Sequence, residues 1–251
     1  MKLANHTRTA RRALAFACAL CLLVTTLASC GLTLHKMTAT EGEYFDKWTD
    51  VTYAALPASY EPIARGDEYG KVNVAGVKNI LYKIEGLSPM EYLASAYGSV
   101  YHAKDVTVPD FTAWELSTLK VCTDRAIIVS HLTLTPEDAA HLDVMEQLQA
   151  AWTNAPAVDY PSYLTPKEQY TLRFTSDDVP GLYYAIKILA YSEDVYGTEL
   201  NEAGEEVEVN LGRYFLYDRY SKRCVATDDN IFRLMEGEEL TPDEGGEESA
   251  S

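Results

Sequence analysis

Basic residues are scarce in this chain. Twenty-one lysines and arginines stand against 38 aspartates and glutamates, a formal charge of −17. Four of the bases, Lys2, Arg8, Arg11 and Arg12, lie in the first 29 residues, which hold no acid, so the remainder carries −21. Such a surface repels nucleic-acid phosphates and anionic headgroups, and nucleic acid is excluded as a partner. The metal motifs are missing too: there is no H-E-x-x-H, no EF-hand loop and, beyond residue 30, no C-x-x-C. No metal or cofactor is expected. Long apolar runs are limited to residues 13–28, 16 residues against the ~20 that a membrane-spanning helix requires.

That short run follows a basic stretch and ends in small residues, the pattern of a secretory signal. Its end, Leu27-Ala28-Ser29-Cys30, resembles the lipobox of bacterial lipoproteins. The resemblance covers the first 30 residues only. It implies a signal helix over 1–29, cleavage before Cys30, and a diacylglycerol on the Cys30 thiol that ties the chain to a membrane. The expected localisation is extracytoplasmic and lipid-anchored in a bacterial cell envelope.

Of the five cysteines, two lie in the apolar run and Cys30 ends it, leaving Cys122 and Cys224. In an exported chain these are the candidate disulfide pair, worth roughly 4–5 kcal/mol by loop-closure entropy, or else two buried thiols. Residues 30–43 lack periodicity and read as a tether. Residues 237–251 are acidic without a base and read as a disordered tail. A folded domain is expected over 44–236, with a subdomain division near 110 left open.

Within it, Leu87-Ser88-Pro89-Met90-Glu91 and Leu134-Thr135-Pro136-Glu137-Asp138 carry helix-start chemistry: hydroxyl at the N-cap, proline at N1, acid at N3. Both precede helical spacing, Met90-Leu93-Tyr97 in the first and Val144-Met145-Leu148-Trp152 in the second. The rest alternates as strands at 79–86, 117–124, 126–134, 170–177, 182–191, 205–220 and 223–229, joined by turns too short for parallel crossovers. The expected fold is α+β, a mainly antiparallel sheet with a C-terminal β-meander and about two packed helices.

Catalytic signals are weak. Ser117-x-x-Lys120 matches the S-x-x-K of serine β-lactamases, but in a strand its two ends face opposite ways. His131 and His141 are too isolated for a metal site. The pairs Asp177-Asp178, Glu193-Asp194 and Asp228-Asp229 read as turn chemistry before they read as acid and base. No catalytic residue is assigned. Eighteen tyrosines against six phenylalanines are the stronger feature. Alternation places Tyr183 and Tyr191 on one face and Tyr184 on the other, and sets Tyr214 and Tyr220 against Tyr217. An exposed row would stack on sugar rings or anchor a protein partner; the plainer reading is cross-strand packing. The sequence points to a non-enzymatic binding module of the envelope, with a glycan or peptidoglycan hydrolase and a small-ligand receptor as rivals.

Overall fold

The computed structural model describes residues 34–124, 127–200 and 204–240. The signal segment, Cys30 and the end of the acidic tail lie outside the described residues. The chain is α+β and mostly strand, in two connected halves.

The first half is a small closed barrel. Its strands are β1 (His35–Thr40), β2 (Glu43–Asp46), β3 (Val51–Ala55), β5 (Arg65–Val74), β6 (Val77–Ile84), β7 (Tyr92–Ser95) and β8 (Val100–Ala103), with β4 (Tyr60–Pro62) excursing from it. The order around the barrel is β1-β2-β3-β8-β7-β6-β5, and a parallel β1–β5 pairing closes it. Two hairpins turn on residue pairs with positive φ: Glu41 (52°) with Gly42 (87°), and Ala75 (49°) with Gly76 (84°). Two consecutive left-handed residues match the twist of paired strands, and glycine adopts that conformation without a Cβ penalty. Met37, Tyr53, Tyr69, Val72, Leu81, Leu93 and Ala103 fill the interior.

Two expectations are corrected here. The stretch read as a tether folds from residue 35 onward as β1, with Met37 4% exposed inside the barrel. The first expected helix is β7. Ser88 does cap: its Oγ accepts the Met90 N–H, and its carbonyl accepts from Glu91 and Tyr92. The single turn ends there because all four residues of β7 are buried. Leu93 enters the barrel while Met90 and Tyr97 stay exposed, so the supposed helical face does not exist.

The second half is an antiparallel sheet. Its strands are β9 (Leu116–Asp124), β10 (Ile128–Leu134), β11 (Glu168–Ser176), β12 (Leu182–Leu200), β13 (Glu206–Tyr217) and β14 (Cys224–Thr227). The order is β10-β9-β11-β12-β13-β14, with β4 beside the start of β12. The last four strands are the expected meander. Helix α1 (Ala139–Asn154) covers one face through Val144, Met145, Leu148 and Trp152. Its N-cap is Asp138, which accepts the Ala140 and His141 N–H groups, three residues beyond the hydroxyl expected to cap it. A second helix, α2 (Asn230–Met235), buries Ile231 and Phe232. Arg233 then pairs with Glu238 at 2.7 Å and Leu240 packs on the core, so the start of the acidic segment is fastened.

The halves share a core. Ile84, Tyr92, Ala94 and Val100 on the outside of the barrel pack with Leu119, Phe174 and Leu182 of the sheet. At their contact an added Cβ on Gly181 would lie 2.7 Å from the Glu85 carbonyl, so only glycine fits. A second joint is a polar chain. The Trp152 indole N–H donates to Tyr184 at 3.0 Å, and the Ser59 hydroxyl donates to buried Asp218 at 3.0 Å. Among the described residues no helix is long and apolar enough to cross a membrane.

Candidate functional site

The catalytic signals in the sequence are absorbed by structure. Ser117 Oγ donates to Asp177 at 3.0 Å, while Lys120 Nζ points the other way and donates to the Tyr183 hydroxyl at 3.4 Å. His131 is bonded to Thr123, and His141 lies in the first turn of α1. Members of the acidic pairs are engaged in separate structural contacts, some within their turns and some across strands. Asp178 accepts from Ser176, Asp194 accepts from Asn210 and Arg213, and Asp228 accepts the Asn230 N–H that opens α2. Among the described residues no three His, Cys, Asp or Glu side chains converge as a metal site.

Cys122 and Cys224 are both free and buried, which corrects the candidate disulfide. Cys122 lies on β9 and Cys224 on β14, with β11, β12 and β13 between them. Four inter-strand steps amount to roughly 19 Å, well beyond the ~7 Å that a disulfide spans.

The six tyrosines do not form one row. Tyr184 and Tyr214 face the helix side: Tyr184 lies flat on Phe111, ring centroids 3.9 Å apart, and Tyr214 packs on Phe232. Tyr191 and Tyr217 belong to the opposite side, in a small cluster with Leu189, Phe215 and Cys224 that the loop at 155–164 covers. Tyr160 of that loop stacks on Tyr217 at 4.3 Å. Tyr183 and Tyr220 lie toward the barrel. The alternation along β12 is as expected. Tyr220 falls beyond the end of β13, so its face was not fixed by strand parity.

Two clefts lie near these tyrosines, one lined by Tyr220 and one beside the loop that covers Tyr191 and Tyr217. The first, about 480 Å³, opens where the barrel meets the sheet. Its floor holds an ion pair between Arg173 Nε and Glu61 Oε2 at 2.9 Å. The Arg173 guanidinium sits 5.9 Å from the Tyr183 ring centre, a cation–π contact that holds the head in place. Its walls carry the most exposed tyrosines of this region: Tyr97, 89% exposed, and Tyr220, 71% exposed. Both are set by buried polar groups. Ser95 Oγ accepts the Tyr97 and Ser99 N–H groups, and Asp218 accepts those of Tyr220 and Ser221. Burial alone would raise the Asp218 carboxyl, but these bonds and the Ser59 hydroxyl outweigh it and hold its pKa below the ordinary value. Ile63 and Ile128 add apolar surface at the rim.

The second cleft, about 410 Å³, lies between the loop at 155–164 and a two-stranded arm. The arm exists because β12 continues past Ala190 through a register shift and pairs again, Tyr196 with Asn210 to Leu200 with Glu206. Sequence reading ended β12 at Tyr191 and so missed the arm. Tyr97, Glu61 and Arg173 were also missed. For Arg173 there was a signal: an arginine between Leu172 and Phe174 in a strand marks the face opposite the core. Comparison with known proteins finds no matching family model, no similar curated protein and no similar solved structure.

Proposed function

We propose that this chain is an exported bacterial lipoprotein, anchored by a diacylglycerol on Cys30, whose barrel–sheet cleft docks a protein partner. The lipobox supports the anchor. The cleft reading rests on one observation: Tyr97 and Tyr220 stand exposed on opposite walls over a fixed Glu61–Arg173 pair, while Tyr184, Tyr191, Tyr214 and Tyr217 are packed. Tyrosine and arginine at a rigid concave site with an isoleucine rim are the side chains that carry binding energy at interfaces. A hydrolase would need two carboxylates facing one substrate, and members of the acidic pairs instead make separate structural bonds, Asp178 and Asp228 within their turns and Asp177 and Asp194 to side chains of other strands. His35 opens the barrel five residues after Cys30, so the barrel would stand within about 17 Å of the lipid.

Labelling growing cells with a tagged fatty acid tests the anchor. The wild-type chain takes the label and Cys30→Ala loses it; an unlabelled chain with an intact N-terminus rejects the reading. A photo-crosslinking residue at position 97 or 220 tests the cleft. It is expected to give one discrete adduct in cells, whereas the same probe at exposed Lys71 on the barrel gives none.

A further inference from the structure

We infer that the second cleft, between the 155–164 loop and the β12–β13 arm, binds a neutral oligosaccharide. Its walls are aromatic on both sides. Tyr163 on the loop is 73% exposed and Tyr196 on the arm is 53% exposed. Exposed rings held by backbone cost little to present, and their faces suit the C–H face of a pyranose as they suit other flat, weakly polar groups.

The backbone around them is pinned. The Val158 N–H donates to the Cys224 carbonyl at 2.8 Å, and the Lys167 N–H to Ala190 at 2.8 Å, fixing both ends of the loop. Asp194 accepts from Asn210 at 2.9 Å and Arg213 at 2.6 Å at the base of the arm. Within the arm an added Cβ on Gly197 would lie 2.7 Å from Leu211 Cδ1, so the glycine lets that side chain lie across the strand beside the cleft. A site on fixed backbone spends less of its binding energy on ordering.

The polar groups select the ligand. Asp159 and Glu199 supply acceptors, and Thr198 and the tyrosine hydroxyls supply donors and acceptors. No lysine, arginine or histidine lines the cleft among the described residues. That composition disfavours phosphate and uronate ligands and suits a chain of uncharged hydroxyls. The volume lies within the range of small-ligand sites.

Tyr160, which lines the cleft, is itself backed by packing: it stacks on Tyr217 and belongs with buried Tyr191 to the cluster beneath the loop.

The test is calorimetric titration of the full chain, in a detergent without a sugar headgroup, with cellotetraose, chitotetraose, tetragalacturonate and a decaproline peptide. At least one neutral tetrasaccharide is expected to bind saturably and tetragalacturonate more weakly. Tyr163→Ala and Tyr196→Ala are each expected to weaken binding roughly tenfold without unfolding an exposed site. Absence of saturable binding by either neutral sugar overturns the inference. So does affinity unchanged in both alanine variants, or preferential binding of decaproline, which would make the cleft a peptide site. None of these readouts depends on Cys30 or on the barrel–sheet cleft.

Discussion

The Ser59 hydroxyl donates to Asp218 Oδ2 across 3.0 Å, although the two residues are 159 positions apart in the chain. This bond links the loop before β4 in the barrel half to the turn after β13 in the sheet half. Asp218 also holds the Tyr220 and Ser221 N–H groups, so one buried carboxylate serves the joint and a wall of the first cleft. Asp218→Ala leaves three donors without their acceptor. We expect a loss of roughly 2–3 kcal/mol in urea unfolding, with Ser59→Ala costing less. Equal effects from the two variants would mean that the backbone bonds contribute nothing.

The acid limb of stability should come from Asp218 and Asp46. Asp46 is fully buried and accepts from His35 Nδ1 at 2.5 Å, Tyr69 at 2.9 Å and the Trp48 N–H at 3.0 Å. Burial would raise its pKa, but the Trp48, His35 and Tyr69 bonds prevail and hold it low. A carboxyl depressed in the folded state binds fewer protons there than in the unfolded chain, whose aspartates titrate near ~3.9. Its stabilisation is therefore complete above that value and is lost as pH falls through the folded pKa. Urea midpoints should be level near neutrality and fall below about pH 4. Asp46→Asn should lower the neutral plateau and flatten that fall.

The close contact at Gly181 predicts a third result. A methyl group there meets the Glu85 carbonyl and Leu87 Cγ at 2.7 Å and Ile84 Cγ2 at 2.9 Å. The carbonyl belongs to backbone and cannot rotate away. Gly181→Ala should destabilise by roughly 1–3 kcal/mol, read by urea unfolding. Gly66→Ala, whose new Cβ would meet ordinary contacts of 3.7 Å, should cost much less.

How far the sequence carried depended on strand length and turn chemistry. β9 to β13 were legible because each runs seven residues or more and most of them are joined to a neighbour by a short turn. The barrel was not. β2, β7 and β8 have four residues each, too few for a period to register. Its hairpins turn on Glu41-Gly42 and Ala75-Gly76, weaker signals than Asn-Gly. The Ser88-Pro89 cap formed as local chemistry dictates, but tertiary burial of Tyr92 and Leu93 ended the helix after one turn. The tyrosine parity along β12 was right, yet the clefts were invisible. One depends on strand pairing resuming in the arm, the other on the barrel abutting the sheet, and neither is a local pattern.

The thiols give a prediction that separates a bridged from an unbridged chain. Burial pushes the Cys224 thiol up to about 12, so almost no thiolate exists at neutral pH. Cys122 is 2% exposed. In the native chain neither should react with a maleimide over minutes, and both should react at once in denaturant without reductant. Mass spectrometry of the denatured, unreduced chain should show both alkylated. A peptide pair joined through sulfur would contradict the strand order.

Met37 decides between a tether and a strand at the start of the fold. A tether residue in solvent tolerates alanine within about 0.5 kcal/mol. Met37 instead projects into the barrel interior beside Gly70, where an added Cβ would lie 2.9 Å from its sulfur. β1 also closes the barrel through its parallel pairing with β5, Met37 opposite Val72. Met37→Ala removes buried side-chain volume from a core of few residues, with little neighbouring structure free to collapse into the space. We expect a loss of roughly 2–4 kcal/mol in urea unfolding, against almost none for exposed Lys36→Ala next to it. A neutral Met37→Ala would return the segment to a linker and leave the barrel without its closing strand.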